Sequence, residues 1–140
     1  MPSRYVLDAS AGIDILQHTA EGEALVPTLR GGAGVDLWTV EHFHVEVAKV
    51  FRRDVLRGVL NDEQATQLTT ALAKWPLEVV SVAPLLEEAW QLRHNVTIHD
   101  ALYVVLTRHL PDAVLVSTDR KLQSAPGVDV AVITPDQLSS

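Results

Sequence analysis

Tyr5-Val6-Leu7-Asp8-Ala9-Ser10 sets three apolar residues directly against an acid and a small polar residue. A short apolar run of this kind predicts a buried strand. Asp8 and Ser10 then offer capping side chains to a helix carrying Ile13, Ile15 and Leu16. The pattern returns near the other end, where Ala113-Val114-Leu115-Val116 runs into Ser117-Thr118-Asp119. Two strands that each end on an acid predict a shared acidic edge, since sites in open α/β sheets form at the carboxyl ends of strands.

Between these anchors, strand and helix signals alternate. Residues 23–29 read as a helix closed by Gly31-Gly32, and 35–38 as a strand. Thr39 and Glu41 are read as opening a longer helix, with Phe43, Val47, Val50 and Leu56 at near-helical spacing and Gly58 at its end. Asn61 and Asp62 cap a helix carrying Ala65, Leu68, Leu72 and Ala73, which Pro76 stops. Residues 79–82 are a β-branched strand, and Pro84 opens a helix through Leu92. Thr97 begins another, with Ala101, Leu102, Val105 and Leu106 inward, ending near Pro111; residues 128–133 are the last strand. This order predicts a mainly parallel sheet covered on both faces. The expectation is a single three-layer α/β/α domain over residues 1–140.

The composition removes several classes. With no cysteine there is no disulfide scaffold, thiolate zinc site or cysteine nucleophile. The first residues lack the apolar core of a signal peptide. No apolar run approaches the roughly 20 residues that span a bilayer, so a cytoplasmic protein without membrane contact is expected. No P-loop, G-x-G-x-x-G or serine nucleophile elbow is present. The net charge of −7 weighs against a nucleic-acid partner. Carboxylates placed on divalent cations would no longer repel phosphate, however. The positive charge is also grouped, at Lys49, Arg52, Arg53 and Arg57 and again at Arg120 and Lys121.

Four acids stand out. Asp8 and Asp119 follow strands, Asp100 lies at a helix start where it meets the positive end of the dipole, and Glu46 shares a helix face with His42, Lys49, Val50 and Arg53. Magnesium and manganese prefer such oxygen ligands. One or two of these ions can orient an attacking water and stabilise the leaving oxygen of a phosphodiester. Convergence of the four in space is an expectation that sequence separation alone does not establish.

These residues resemble the ordered acidic motifs of PIN-domain nucleases: Asp8 in Val-Leu-Asp-Ala-Ser, Glu46 in Glu-Val-Ala-Lys-Val-Phe-Arg-Arg, Asp100 in His-Asp-Ala-Leu-Tyr-Val and Asp119 in Ser-Thr-Asp-Arg-Lys-Leu. Among them the VapC toxins of bacterial toxin–antitoxin pairs are most similar, over essentially the whole chain. The resemblance implies a Mg²⁺- or Mn²⁺-dependent endoribonuclease, a VapB-like antitoxin and a homodimer. It implies that Asp8, Asp100 and Asp119 ligate metal, that Glu46 ligates metal or positions the water, and that Ser10 and Thr118 support the acids. Lys49 stands where that family often has Asn or Ser; it would pair with Glu46 or reach for phosphate. Lys49, Arg53 and Arg120 are candidate RNA contacts.

Plainer readings stand beside these. Asp8 and Asp100 could simply cap helices, Asp119 could sit in a plain turn, and Glu46 could be a surface acid. Asp14, Glu41 and Asp112 are read as a helix-surface acid, a first-turn acid and a loop acid. His42, His44 and Glu46 diverge on a helix and make no zinc site. His99 is read as an exposed or capping residue, and Trp38, Trp75 and Trp90 as core or interface. The rival function is a catalytically silent PIN-like protein-binding module. A receiver domain or an Asp-x-Asp phosphatase would need a second acid beside Asp8, where Ala9-Ser10 stands.

Overall fold

A computed structural model describes residues 2–30 and 36–138. Five parallel strands form one sheet in the order β3-β2-β1-β4-β5. The strands are β1 (Arg4–Leu7), β2 (Asp36–Val40), β3 (Glu78–Val80), β4 (Ala113–Val116) and β5 (Val132–Ile133). The helices are α1 (Ala9–Leu16), α2 (Ala20–Leu29), α3 (Phe43–Leu56), α4 (Asp62–Lys74), α5 (Ala83–Trp90), α6 (Ile98–His109) and α7 (Arg120–Ser124). A 3₁₀ turn, Pro135–Gln137, follows β5. Helices α1, α3 and α4 pack on one another, and α5 packs on α6. With right-handed crossovers, the outward steps β1→β2→β3 place α1 to α4 on one face. The return through α5 and α6 to β4 uses the other face. This is the expected three-layer arrangement.

Helix α6 lies deepest. Ala101 to Thr107 are buried in succession, between the sheet and α5. A helix apolar all round is what that position requires. Helix α1 starts at Asp8, whose carboxylate accepts from the Ala11 N–H. Helix α4 starts at Asn61 in a reciprocal capping box with Gln64.

Several boundaries differ from the sequence reading. Helix α2 begins at Ala20, because Thr19 caps it through the Gly22 N–H. Thr39 does not open a helix: it is buried in β2 and its hydroxyl donates to the Leu7 carbonyl. Glu41 lies in the turn before α3, and its carboxylate accepts from the Val82 N–H at 2.7 Å. Leu56 is 68% exposed rather than inward, while Phe51 takes the core position. Strand β3 stops at Val80, as α5 starts at Ala83, and only Val132–Ile133 of the run 128–133 pairs with β4. Helix α7 has no counterpart in the sequence reading. The Gly31-Gly32 cap and Val35 lie outside the described residues.

Gly22 marks a close approach between elements: a Cβ there would stand 2.0 Å from the Asp14 carbonyl oxygen and 2.6 Å from the Ile15 nitrogen. These are backbone atoms and have no rotamer to yield. Gly58 has φ +74 with open space around it. Gly22→Ala is expected to lower unfolding stability by at least 1–3 kcal/mol, roughly the cost of overpacking. Gly58→Ala should cost only about 1 kcal/mol, from its left-handed backbone. Urea midpoints of the two variants check the ranking.

Candidate active site

The carboxyl end of the sheet gathers the four acids. Asp8 follows β1, and Asp119 follows the neighbouring β4 by way of Ser117 and Thr118. Asp100 is the third residue of α6, and Glu46 is in the first turn of α3. Burial raises the Asp8 and Asp100 carboxyls, and neighbouring charges add to it: Asp100 on Asp8, and Asp119 and Glu46 on Asp100.

A knot of small polar groups sets the Asp8 carboxylate. Ser10 Oγ donates to Asp8 Oδ1 at 2.6 Å, and the Ala11 N–H donates to the same oxygen at 2.9 Å. The Thr118 N–H donates to Ser10 Oγ, and Ser117 Oγ lies 3.2 Å from it. The Asp119 N–H donates to Ser117 Oγ at 3.0 Å. Ser10 thus takes the supporting place that its motif implies. Thr118 supports through its backbone, not its hydroxyl; Ser117, fully buried, is the side chain that links the two acids. Asp119 caps α7 through the Lys121 N–H, and the Thr97 hydroxyl caps α6 at Asp100.

Glu46 has a different setting. Tyr103 Oη donates to Glu46 Oε1 at 2.9 Å, and His42 Nε2 lies 3.3 Å from the same oxygen. Burial, and then the Glu46 charge, push the Tyr103 hydroxyl well above its ordinary range, so it stays protonated. Burial holds His42 below the usual imidazole value. Among the described residues Lys49 forms no ion pair with Glu46. It lines a groove of about 790 Å³ beside it, with His42, Val45, Arg52, Arg53 and Arg57.

A second cleft, about 480 Å³, opens on the other side of the acids and holds Asp100 and Asp119 with Arg93, His94, Asn95 and Lys121. Arg120 is not part of it; its guanidinium is bonded to Asp136. Sequence reasoning missed Arg93, Ser117 and Tyr103. Tyr103 alone carried a usable signal, three residues after Asp100 on the same helix face. His99 is exposed, as read. Trp38 and Trp75 pack against the core, but Trp90 is 53% exposed.

Among the described residues no Lys or Arg pairs with any of the four acids. Likewise, no three His, Asp or Glu side chains are gathered tightly enough to hold a metal ion between them. Mutual repulsion opposes closer approach of like charges. The donor set itself, carboxylate oxygens without basic partners, fits a hard divalent cation. No described helix is long and apolar enough to cross a membrane.

A parallel α/β/α sheet with acids at the ends of adjacent central strands is the arrangement that the motif resemblance implies for a PIN-type nuclease domain. Solved structures share the fold. "PAE2754 from Pyrobaculum aerophilum" superposes with a TM-score of 0.68 at 20% identity, covering 96% of this chain and 86% of that one. FitAB bound to a DNA fragment gives 0.68 at 16% identity, covering 94% of each chain. No protein-family model matches the sequence. Curated relatives do: Ribonuclease VapC1 of Mycobacterium tuberculosis is 38% identical over 128 residues, 88% of this chain and 91% of its own. Ribonuclease VapC12 of the same organism is 30% identical over 122 residues, 87% and 92% of the two chains. The chain belongs to the VapC family of PIN-domain ribonucleases.

Burial pushes the Asp8 carboxyl up to about 6 from an ordinary 3.8, against the opposing hydrogen bonds of Ser10, Ser117 and Ala11. Between those values the folded chain binds more protons than the unfolded chain, so stability falls as pH rises through that window. Above it the loss is roughly 3 kcal/mol. In EDTA, Asp8→Asn should therefore melt higher than the parent at neutral pH, with the gap closing near the ordinary carboxylate value. Calorimetric scans across that range test this; a variant that melts lower at neutral pH contradicts it.

Proposed function

We propose that this chain is an endoribonuclease that hydrolyses RNA phosphodiester bonds with Mg²⁺ or Mn²⁺, and that it is the toxin of a VapBC toxin–antitoxin pair. One observation carries the reading: four carboxylates from four separate elements lie at one end of the sheet, and among the described residues no lysine or arginine pairs with them. The names of the relatives, ribonucleases over nearly the whole length, support it.

Asp8, Asp100 and Asp119 would hold the cation, with Glu46 as a further ligand or as the acceptor that aligns water. Bound there, the cation supplies a water of lowered pKa and a counter-charge for the leaving oxygen. The chain itself provides orientation. Asp8 and Asp119 are each held through one oxygen by a helix start. Among the described residues the hydrogen bond that Glu46 accepts falls on Oε1, from Tyr103, leaving Oε2 for the reaction side.

The net charge of −7 does not oppose an RNA substrate, because positive charge is sorted to the acidic end. Lys49, Arg52, Arg53, Arg57, Arg93 and Lys121, six of the eleven lysines and arginines, line the two openings beside the acids. An RNA strand would cross from one opening to the other with its phosphates on these groups. A VapB-like antitoxin and a homodimer complete the proposed setting, both by membership of the family.

Purified chain incubated with total RNA should cut at defined sites with Mg²⁺ or Mn²⁺ and not in EDTA. Asp8→Asn and Asp119→Asn should abolish cutting while keeping the fold. No cleavage with any metal, from folded protein free of antitoxin, favours the silent binding module instead. Lys49→Gln with Arg53→Gln should weaken RNA binding across sequences. Removing two charges from phosphates should flatten the plot of log affinity against log salt by about 1.4, roughly 0.7 for each. An unchanged slope removes these two residues from the RNA path.

A further inference from the structure

We propose that Tyr103, braced by the His42 ring, is a positioning residue that holds the Glu46 carboxylate by one oxygen and so aims the other at the metal. The inference rests on the reading of the four acids as a cation site.

Three observations carry it. The first is the hydroxyl of Tyr103. Its ring is buried at the heart of α6 with 1% exposure, and a buried tyrosine hydroxyl needs a partner. The partner it has is Glu46 Oε1, at 2.9 Å across from α6 to α3.

The second is the anchoring of the His42 ring. Its Nε2 donates to the His99 carbonyl oxygen at 3.2 Å, in the first turn of α6. That bond ties the ring to the helix that carries Tyr103, beside the Glu46 carboxylate.

The third is that the two rings hold each other. The His42 and Tyr103 centroids lie 4.6 Å apart, tilted by 34°. Glutamate has three side-chain torsions and loses them only at an entropic cost. A donor on one oxygen, braced by a stacked ring, meets part of that cost in the folded protein rather than at metal binding. The same helix turn carries Asp100 and Tyr103, so α6 supplies one ligand directly and the orientation of another. Partners of this kind behind a metal ligand typically change metal affinity 10- to 100-fold when removed.

The test measures Mn²⁺ binding to the RNA-free protein by electron paramagnetic resonance, for the parent, Tyr103→Phe, Glu46→Ala and the double variant. Tyr103→Phe should weaken Mn²⁺ about tenfold or more, as expected for such a partner. In the Glu46→Ala background it should change nothing. Equal affinity for the parent and Tyr103→Phe overturns the proposal. So does a loss that persists without Glu46, which marks a merely structural tyrosine. Should Tyr103→Phe fail to fold, His42→Leu, which removes the ring stacked on Tyr103, carries the same cycle from the less buried side. A folded parent that binds no Mn²⁺ overturns the cation-site reading and this inference with it, a result separable from the others because it appears before any substitution.

Discussion

The parallel pairing of β1 with β4 is the constraint on which the acidic end depends. In sequence these strands are more than a hundred residues apart. The sheet order makes them neighbours, with Leu7 opposite Val116 and the Asp8 N–H donating to the Val116 carbonyl. That register leaves Asp8 and Ser117 as the first residues beyond the paired run on each strand. A shift by one residue would turn Asp8 to the other face of the sheet. Thr39 secures the third strand by donating to the Leu7 carbonyl. Three strand ends are thereby fixed before any side chain of the site is considered.

On this edge the chain accepts an electrostatic load. Buried, mutually repelling carboxylates are unfavourable, and the protein meets part of that with neutral donors. Helix starts serve Asp8 and Asp119, and the hydroxyls of Ser10 and Ser117 thread between them. Cationic side chains are kept one step further out, on the walls of the two openings. Lysines inserted among the acids would relieve the repulsion more fully, but would occupy the place of a divalent ion. The ion pairs of Arg108 with Glu88 and Asp129 lie elsewhere, where α5, α6 and the loop before β5 meet.

Much of this was legible in the sequence because it is local. The run Ala113–Val116 is the observed β4 residue for residue, and Asp8 caps α1 as its position after an apolar run suggested. The motifs named all four acids, and the fold brings them to one end. What could not be read depended on partners distant in the chain. Thr39 reads as a cap until β1 lies beside it. Residues 128–133 look like a strand throughout, yet β4 has room to pair with only two of them. Ser117 and Tyr103 matter through contacts at separations of 107 and 57 residues. Leu56 fits the helical period, but the core ends before it.

The burial of α6 through seven successive residues has an evolutionary consequence. Asp100 and Tyr103 stand on a segment with no solvent face to vary over its central turns, so drift there disturbs the core and the acids together. The walls of the two openings are under no such restraint, since Lys49, Arg52, Arg93 and Lys121 are exposed. Changes of charge on the surface beside the acids therefore leave the core untouched, while changes in the middle of α6 do not.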